Sequence, residues 1–374
     1  MHTWKSRPPP ARPARSTSPP GHWRRPEAHW LNSPPGATSR TRPPSPQPTR
    51  LPARQGEHRR RRPDLRRRRV SRRARSTVES DAMALSVTQG FDLFLKQLTP
   101  RAGEREAKAR HRSSVQASLR TASFGVLWFR ETGSFTHGTG VRGHCDVDLL
   151  VSIKAVRPGS SETALEWVKS ALKSSFPYTE VVIRRPTVQV RFASGAETWE
   201  VLPGFVTYRG GATSVYDIPG ASRGWMDSAP TAHLDYVNEV NERRAVTGGA
   251  KALARLTKAW KYYNNVPVSS FYLEMRAAQH IAGEPSFVPV WDICRLLEKL
   301  DGHQLADMND PVGKAGRFAA CSSEATRREA LSKLSTAATR ARKALDAYQK
   351  EDHATAFTYL DLLFAHRFPS RWQS

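Results

Sequence analysis

Asp146 and Asp148 are the residues of this 374-residue chain best suited to chemistry: they flank a single valine and lead into the apolar run Leu149-Leu150-Val151. A strand alternates its side chains between two faces, so acids two positions apart point the same way. Two parallel carboxylates make a claw for a hard divalent cation. Mg²⁺ in particular is held by one or two carboxylates together with the phosphates of a substrate, which makes a nucleoside triphosphate the natural partner. Upstream stand Gly133 and Ser134, separated from the acids by eleven residues that include Gly138, Gly140 and Gly143. Glycine lets backbone N–H groups approach phosphate oxygens, and a serine at a helix N-terminus adds a donor. A lone Asp-x-Asp or Gly-Ser says little, but their conjunction ahead of an apolar strand describes a phosphate cradle joined to a metal claw.

A third carboxylate, Glu200, lies in Trp199-Glu200-Val201-Leu202-Pro203. Taken alone it reads as a strand-edge charge. Beside the Asp pair it is the acid that a two-metal site lacks, because two cations about 3.5–4 Å apart need bridging and flanking ligands. Farther on, Lys258 and Lys261 flank Trp260, and Ser269-Ser270 precede a helical pattern. The plain reading of these is a solvated face and a helix cap, although either pair could reach a triphosphate across a cleft.

The elements that position these residues follow from periodicity. Ser86-Val87-Thr88-Gln89 reads as a capping box for a helix with Phe91, Phe94, Leu95 and Leu98 on one side, closed by Pro100. A second helix is predicted over 101–119 and a strand over 123–130, leading into Gly133. After the metal strand come a helix capped at 160–162 and ended by Pro177, then strands over 180–184, 187–192 and 198–202, the last two joined by Ala193-Ser194-Gly195-Ala196 as a hairpin. From Ala229 the pattern is helical, with helices predicted over 231–244, 248–263, 269–280, 289–300, 324–348 and 354–368.

Composition divides the chain. Residues 1–82 carry 21 of the 59 Lys and Arg, 5 of the 34 Asp and Glu, and 15 of the 27 prolines. Such a segment cannot bury enough apolar surface to offset chain entropy and is expected to be disordered. It reads as a basic arm, a targeting segment or, preferred here, an upstream extension of a start at Met83. The three cysteines, Cys145, Cys294 and Cys321, fit reduced thiols and a cytoplasmic protein, and no apolar run approaches the roughly 20 residues of a membrane span. The expected organisation is an extension over 1–82, a catalytic core over 83–228 and a helical domain over 229–374.

The stretch GSFTHGTGVRGHCDVDLLVSI resembles the signature of polymerase-β-type nucleotidyltransferases, and its surroundings resemble the bacterial cGAS/DncV-like branch, related to oligoadenylate synthases. WEVLPGF, YDIPGASRGWMDSAP, LARLTKAWKYYNNVPVSSFYLEM and DMNDPVGKAGRF fit that branch as well. The resemblance implies an α+β fold, a mixed sheet with flanking helices packed on a C-terminal helical domain. It implies Asp146, Asp148 and Glu200 as catalytic metal ligands, Gly133 and Ser134 as phosphate contacts, and Lys258 and Ser270 as donor-triphosphate contacts. Its third acid is often Asp, and the extra methylene of Glu200 lengthens that reach. The implied cofactor is a pair of Mg²⁺ ions, with Mn²⁺ as a substitute. The implied reaction joins NTPs, ATP and GTP among them, into a cyclic di- or trinucleotide second messenger that activates an effector in anti-phage signalling (CBASS). Terminal transfer of nucleotides to RNA or protein, and nucleic-acid binding through the basic arm, are the competing readings. Nucleic acid is a candidate partner but not a required one, and no membrane is involved.

Overall fold

The capping box at Ser86 is formed: Gln89 N–H donates to the Ser86 hydroxyl at 3.3 Å, and the Gln89 side chain accepts from Ser86 N–H at 2.8 Å. It starts helix α1 (Val87–Leu98), the first element of a computed structural model that describes residues 84–372 apart from 102 and 193–195. The arginine- and proline-rich extension and the tip of the 193–196 turn therefore lie outside the described residues. Two short helices follow, α2 (Glu104–Lys108) and α3 (Arg112–Arg120), where a single helix over 101–119 was expected. Glu197 explains the break. Its carboxylate accepts from the His111 backbone N–H and meets the His111 ring, both at 2.9 Å, so that N–H is lost to a continuous helical ladder.

Strand β1 (Val126–Thr132) runs into the five-residue helix α4 (Gly133–His137), and β2 (Val147–Ile153) begins one residue after Asp146. Helix α5 (Ser161–Ser175) is capped by Ser160; β3 (Glu180–Arg184), β4 (Thr187–Phe192) and β5 (Glu197–Thr207) follow. The last strand extends five residues past the expected end at Leu202. Its Pro203 falls where antiparallel pairing passes from β4, last at Val201, to a strand that joins at Phe205, so the missing N–H interrupts neither ladder. That later partner, β6 (Val215–Pro219), and β7 (Trp225–Ser228) form a hairpin the periodicity did not reveal. The sheet order is β1-β2-β5-β4-β3, with β6 and β7 continuing from the distal half of β5. All pairings are antiparallel except β2 with β5.

The two sheet faces do different work. Leu149, Val151 and Ile153 of β2 join Leu165, Val168 and Leu172 of α5 and Val115 and Leu119 of α3 in one core. Each such side chain contributes about 1.5–3 kcal/mol by burial. The opposite face carries Asp148 and Leu150 on β2 and Glu200 and Leu202 on β5, following the period of two.

The remaining helices are α6 (Pro230–Glu242), α7 (Gly249–Tyr263), α8 (Ser270–Ala282), α9 (Pro289–Gly302), α10 (Glu324–Gln349) and α11 (His353–Leu363), with a two-residue ladder, β8 (Met308–Asn309) and β9 (Arg317–Phe318), before α10. They build a second core around Leu253, Trp260, Leu273, Ile293 and Leu345. Buried Ala330, Ala337, Ala341 and Ala344 line α10. Although first in sequence, α1 buries its apolar face in this helical core: Phe94 meets Phe364 and Phe368 edge-on at 4.7 and 5.1 Å. Among the described residues no helix is long and apolar enough to cross a membrane. The architecture is α+β, a mixed sheet with flanking helices and a C-terminal helical region.

Because Phe94 joins α1 to the segment after α11 in this core, Phe94→Ala should cost about 3–5 kcal/mol. Denaturant unfolding of the two proteins measures it; a loss under about 1 kcal/mol would mean that α1 does not pack there.

Candidate active site

The turn between β1 and β2 owes its shape to one glycine. Gly133 has φ +66°, a left-handed value that favours glycine, and a β-carbon added there would run into the Asp148 carboxylate. The turn and the acid therefore pack against each other without a side chain between them. After α4, the chain is held from the helical region. Arg255 of α7 donates to the Gly138 carbonyl through Nη2 at 2.6 Å and to the Gly140 carbonyl through Nε at 3.0 Å, and burial lowers its pKa.

Parallel pairing of β2 with β5 sets Asp148 directly beside Glu200, and the Thr132 position flanks Asp148 on the other side. Paired residues share a face, so both carboxylates point to the same side of the sheet. Burial, with Glu200 and Asp146 next to it, raises the Asp148 carboxyl well above its usual range. Glu200 is raised as well, by burial first and by Asp146 second, against a hydrogen bond from Gln189 Nε2 at 3.4 Å and the charge of Lys261. Three carboxylates thus converge in a place where their charges repel one another. Hard oxygen donors arranged this way could hold a divalent cation, whose charge would relieve the repulsion.

Across from the acids stands the helical region. Ser269 caps α8 by accepting from Tyr272 N–H at 3.2 Å, which leaves Ser270 to other partners. Lys261 Nζ donates to Ser270 Oγ at 2.6 Å, and Tyr262 Oη lies 3.2 Å from the same hydroxyl. Burial and the neighbouring Lys258 push the Lys261 ammonium down to about 8, against the pull of Glu200. That coupling puts Lys261 within electrostatic reach of the carboxylates. The imidazole of His144 stacks on Tyr262, 4.6 Å apart and 6° from parallel.

Lys258 occupies a different position. Only 2% exposed, it pairs with Glu274 of α8 and donates to Thr139 Oγ1 at 2.8 Å. Glu274 also meets the buried His137 at Nδ1. Burial would raise the Glu274 carboxyl, but Lys258 and His137 hold it well below its usual range. Of the residues singled out from the sequence, Gly133, Asp148 and Glu200 are thus set side by side by contact and register, with Asp146 coupled to both acids. Lys258 reaches them as a charge held by Glu274, and Ser270 through Lys261. Arg255, Gln189, His137, Thr139 and Glu274 were missed. Helical spacing offered a clue to two of the site's groups: Lys258 and Lys261 are three apart on α7, and Ser270 and Glu274 four apart on α8, so each pair shares a face.

Comparison with known proteins agrees with this architecture. Residues 85–241 match the family model of the Second Messenger Oligonucleotide or Dinucleotide Synthetase domain. No curated protein sequence matches. Among solved structures, E. coli CdnC with ATP is similar at 17% identity and a TM-score of 0.60, over 76% of this chain and 99% of that one. Bradyrhizobium diazoefficiens CdnG, in complex with GTP, is similar at 14% identity and a TM-score of 0.56, over 74% of this chain and 98% of that one. Vibrio cholerae DncV, a cyclic AMP-GMP synthase bound to a linear pppA(3′,5′)pG intermediate, is similar at 14% identity and a TM-score of 0.51, over 75% and 82%. At such identities the likeness speaks for the fold, and the domain match speaks for the chemistry. The chain is a nucleotidyltransferase: residues 85–241 match a second-messenger synthetase domain, and its fold is similar to those of the bacterial cGAS/DncV-like enzymes.

Proposed function

We propose that this protein joins nucleoside triphosphates, ATP or GTP among them, into a cyclic di- or trinucleotide second messenger with release of pyrophosphate, as part of anti-phage signalling. The observation that carries the reading is the side-by-side register of Asp148 and Glu200, with Asp146 coupled to both and the Gly133 turn packed against Asp148. The similar structures were determined with ATP, with GTP and with a linear dinucleotide intermediate, which supports nucleotides as substrates here. Asp146, Asp148 and Glu200 would hold Mg²⁺, one ion or a pair. When bound, such a cation neutralises phosphate charge and lowers the pKa of an attacking hydroxyl.

The rest is the work of the chain's own groups. Gly133 and Ser134 present the start of α4 to the phosphates. Lys261, joined to Ser270, offers a positive charge to the far end of the same triphosphate. Glu200 faces the place where an acceptor ribose hydroxyl must approach the α-phosphorus. Phosphoryl transfer asks a protein for little beyond such positioning and charge stabilisation. Activation of a downstream effector by the product belongs to the same proposal, as does a division of labour between a catalytic core over 83–228 and a helical part over 229–374.

Incubating the protein with all four NTPs and Mg²⁺ and identifying the product by mass tests the reading. A phosphatase-resistant cyclic nucleotide is expected; a long linear polymer would point to terminal transfer instead. Asp148→Asn should cut turnover by roughly 10²–10⁴-fold while leaving the melting temperature unchanged or higher, because it removes one charge from beside Glu200 and Asp146. Turnover near the wild-type rate would place the chemistry elsewhere. The lysine adds a pH dependence. With Lys261 titrating at about 8, its charge is present below that pH and lost above it, so KM for ATP should be flat from about pH 6.5 to 7.5 and rise towards pH 9. Lys261→Arg should abolish the rise, since a guanidinium keeps its charge throughout; a rise that persists unchanged in the arginine variant would rule Lys261 out as its source.

A further inference from the structure

Glu274 ties together three elements that each contribute to the candidate site. One of its carboxylate oxygens bonds the ring of His137, and the other accepts from the Thr139 hydroxyl and the Lys258 ammonium. His137 is the last residue of α4, and Thr139 sits in the glycine spacer just beyond it. Lys258 comes from α7, which also supplies Lys261 and Arg255, and Arg255 holds the carbonyls on either side of Thr139. Glu274 itself lies one turn past Ser270 on α8. All four members of the cluster, Glu274, Lys258, His137 and Thr139, are buried. A charge so placed is costly unless every partner is kept, which makes the arrangement rigid.

We infer that Glu274 is a positioning residue for polyphosphate recognition: it fixes the Gly133-Ser134 turn relative to the Lys261–Ser270 pair, so that one nucleoside triphosphate is gripped from both sides. The inference rests on the nucleotidyltransferase reading above and adds a specificity to it. A triphosphate is long enough to engage both grips and gains from their fixed spacing. A monophosphate engages one and gains nothing.

The test compares binding of α,β-methylene-ATP and of AMP, each with Mg²⁺, by calorimetry on the full chain. Glu274→Gln keeps the side-chain shape and removes the charge. Thr139→Val keeps the volume, leaves the Glu274–Lys258 pair in place and serves as the gentler variant. Glu274→Gln should bind the triphosphate analogue roughly tenfold more weakly and AMP within about twofold of wild type, with KM for ATP rising more than kcat falls. Thr139→Val should show the same pattern at about threefold. A folded variant, judged by an unchanged melting temperature, that binds the analogue as wild type does, or that loses both ligands equally, overturns the inference. If Glu274→Gln does not fold, Thr139→Val decides by the same criterion. Wild-type protein that fails to bind the analogue would sink the nucleotidyltransferase reading and the positioning role with it, whereas normal wild-type binding with unaffected variants removes the positioning role alone.

Discussion

Crowding of carboxylates at one register position of the sheet is the constraint around which the candidate site is arranged. Asp148 and Glu200 share a register position on the one parallel strand pair of the main sheet, and Asp146 stands one residue outside it. Burial and mutual charge raise both Asp148 and Glu200. Carboxylates crowded in this way favour a partner that neutralises them. A divalent cation bound together with triphosphate fits that description. The surrounding features make sense in the same terms: a glycine where any side chain would intrude on Asp148, and a lysine of weakened proton affinity within electrostatic reach of Glu200.

The helical region contributes in two layers. Lys261, coupled by charge to Glu200, bonds Ser270, while Lys258, Glu274, Thr139 and His137 form a buried network beside the glycine-rich turn. Arg255 reaches the same turn through two carbonyls. Three charged side chains from α7 and α8 are thus committed to holding eight residues of glycine-rich chain, from Gly133 to Gly140, in one shape. A short helix of five residues has little stability of its own, and α4 depends on these outside contacts for its position.

How much of this was legible in the sequence follows the range of the interactions. The capping box at Ser86 and the acids of the metal strand are local patterns, and they could be read directly. The single helix expected over 101–119 failed because Glu197, far along the chain, captures the His111 backbone. Strand β5 outran its expected end because a change of partner accommodates Pro203, and the β6–β7 hairpin escaped because its strands are only five and four residues long. Within the site the same limit applies. The acids declared themselves by spacing, whereas Glu274 and Lys261 acquire meaning only when α7 and α8 are packed together. The resemblance to nucleotidyltransferases did lead to the α+β fold and the enzyme class.

The central claim is that Asp146, Asp148 and Glu200 act as one cation site. Its most direct test is anomalous diffraction from crystals grown with Mn²⁺ and α,β-methylene-ATP. Anomalous peaks should fall between these three carboxylates and the phosphates, at roughly the 2.0–2.1 Å that Mg²⁺ keeps from oxygen ligands. Manganese bound elsewhere, or a nucleotide seated away from the Gly133 turn, would contradict the account.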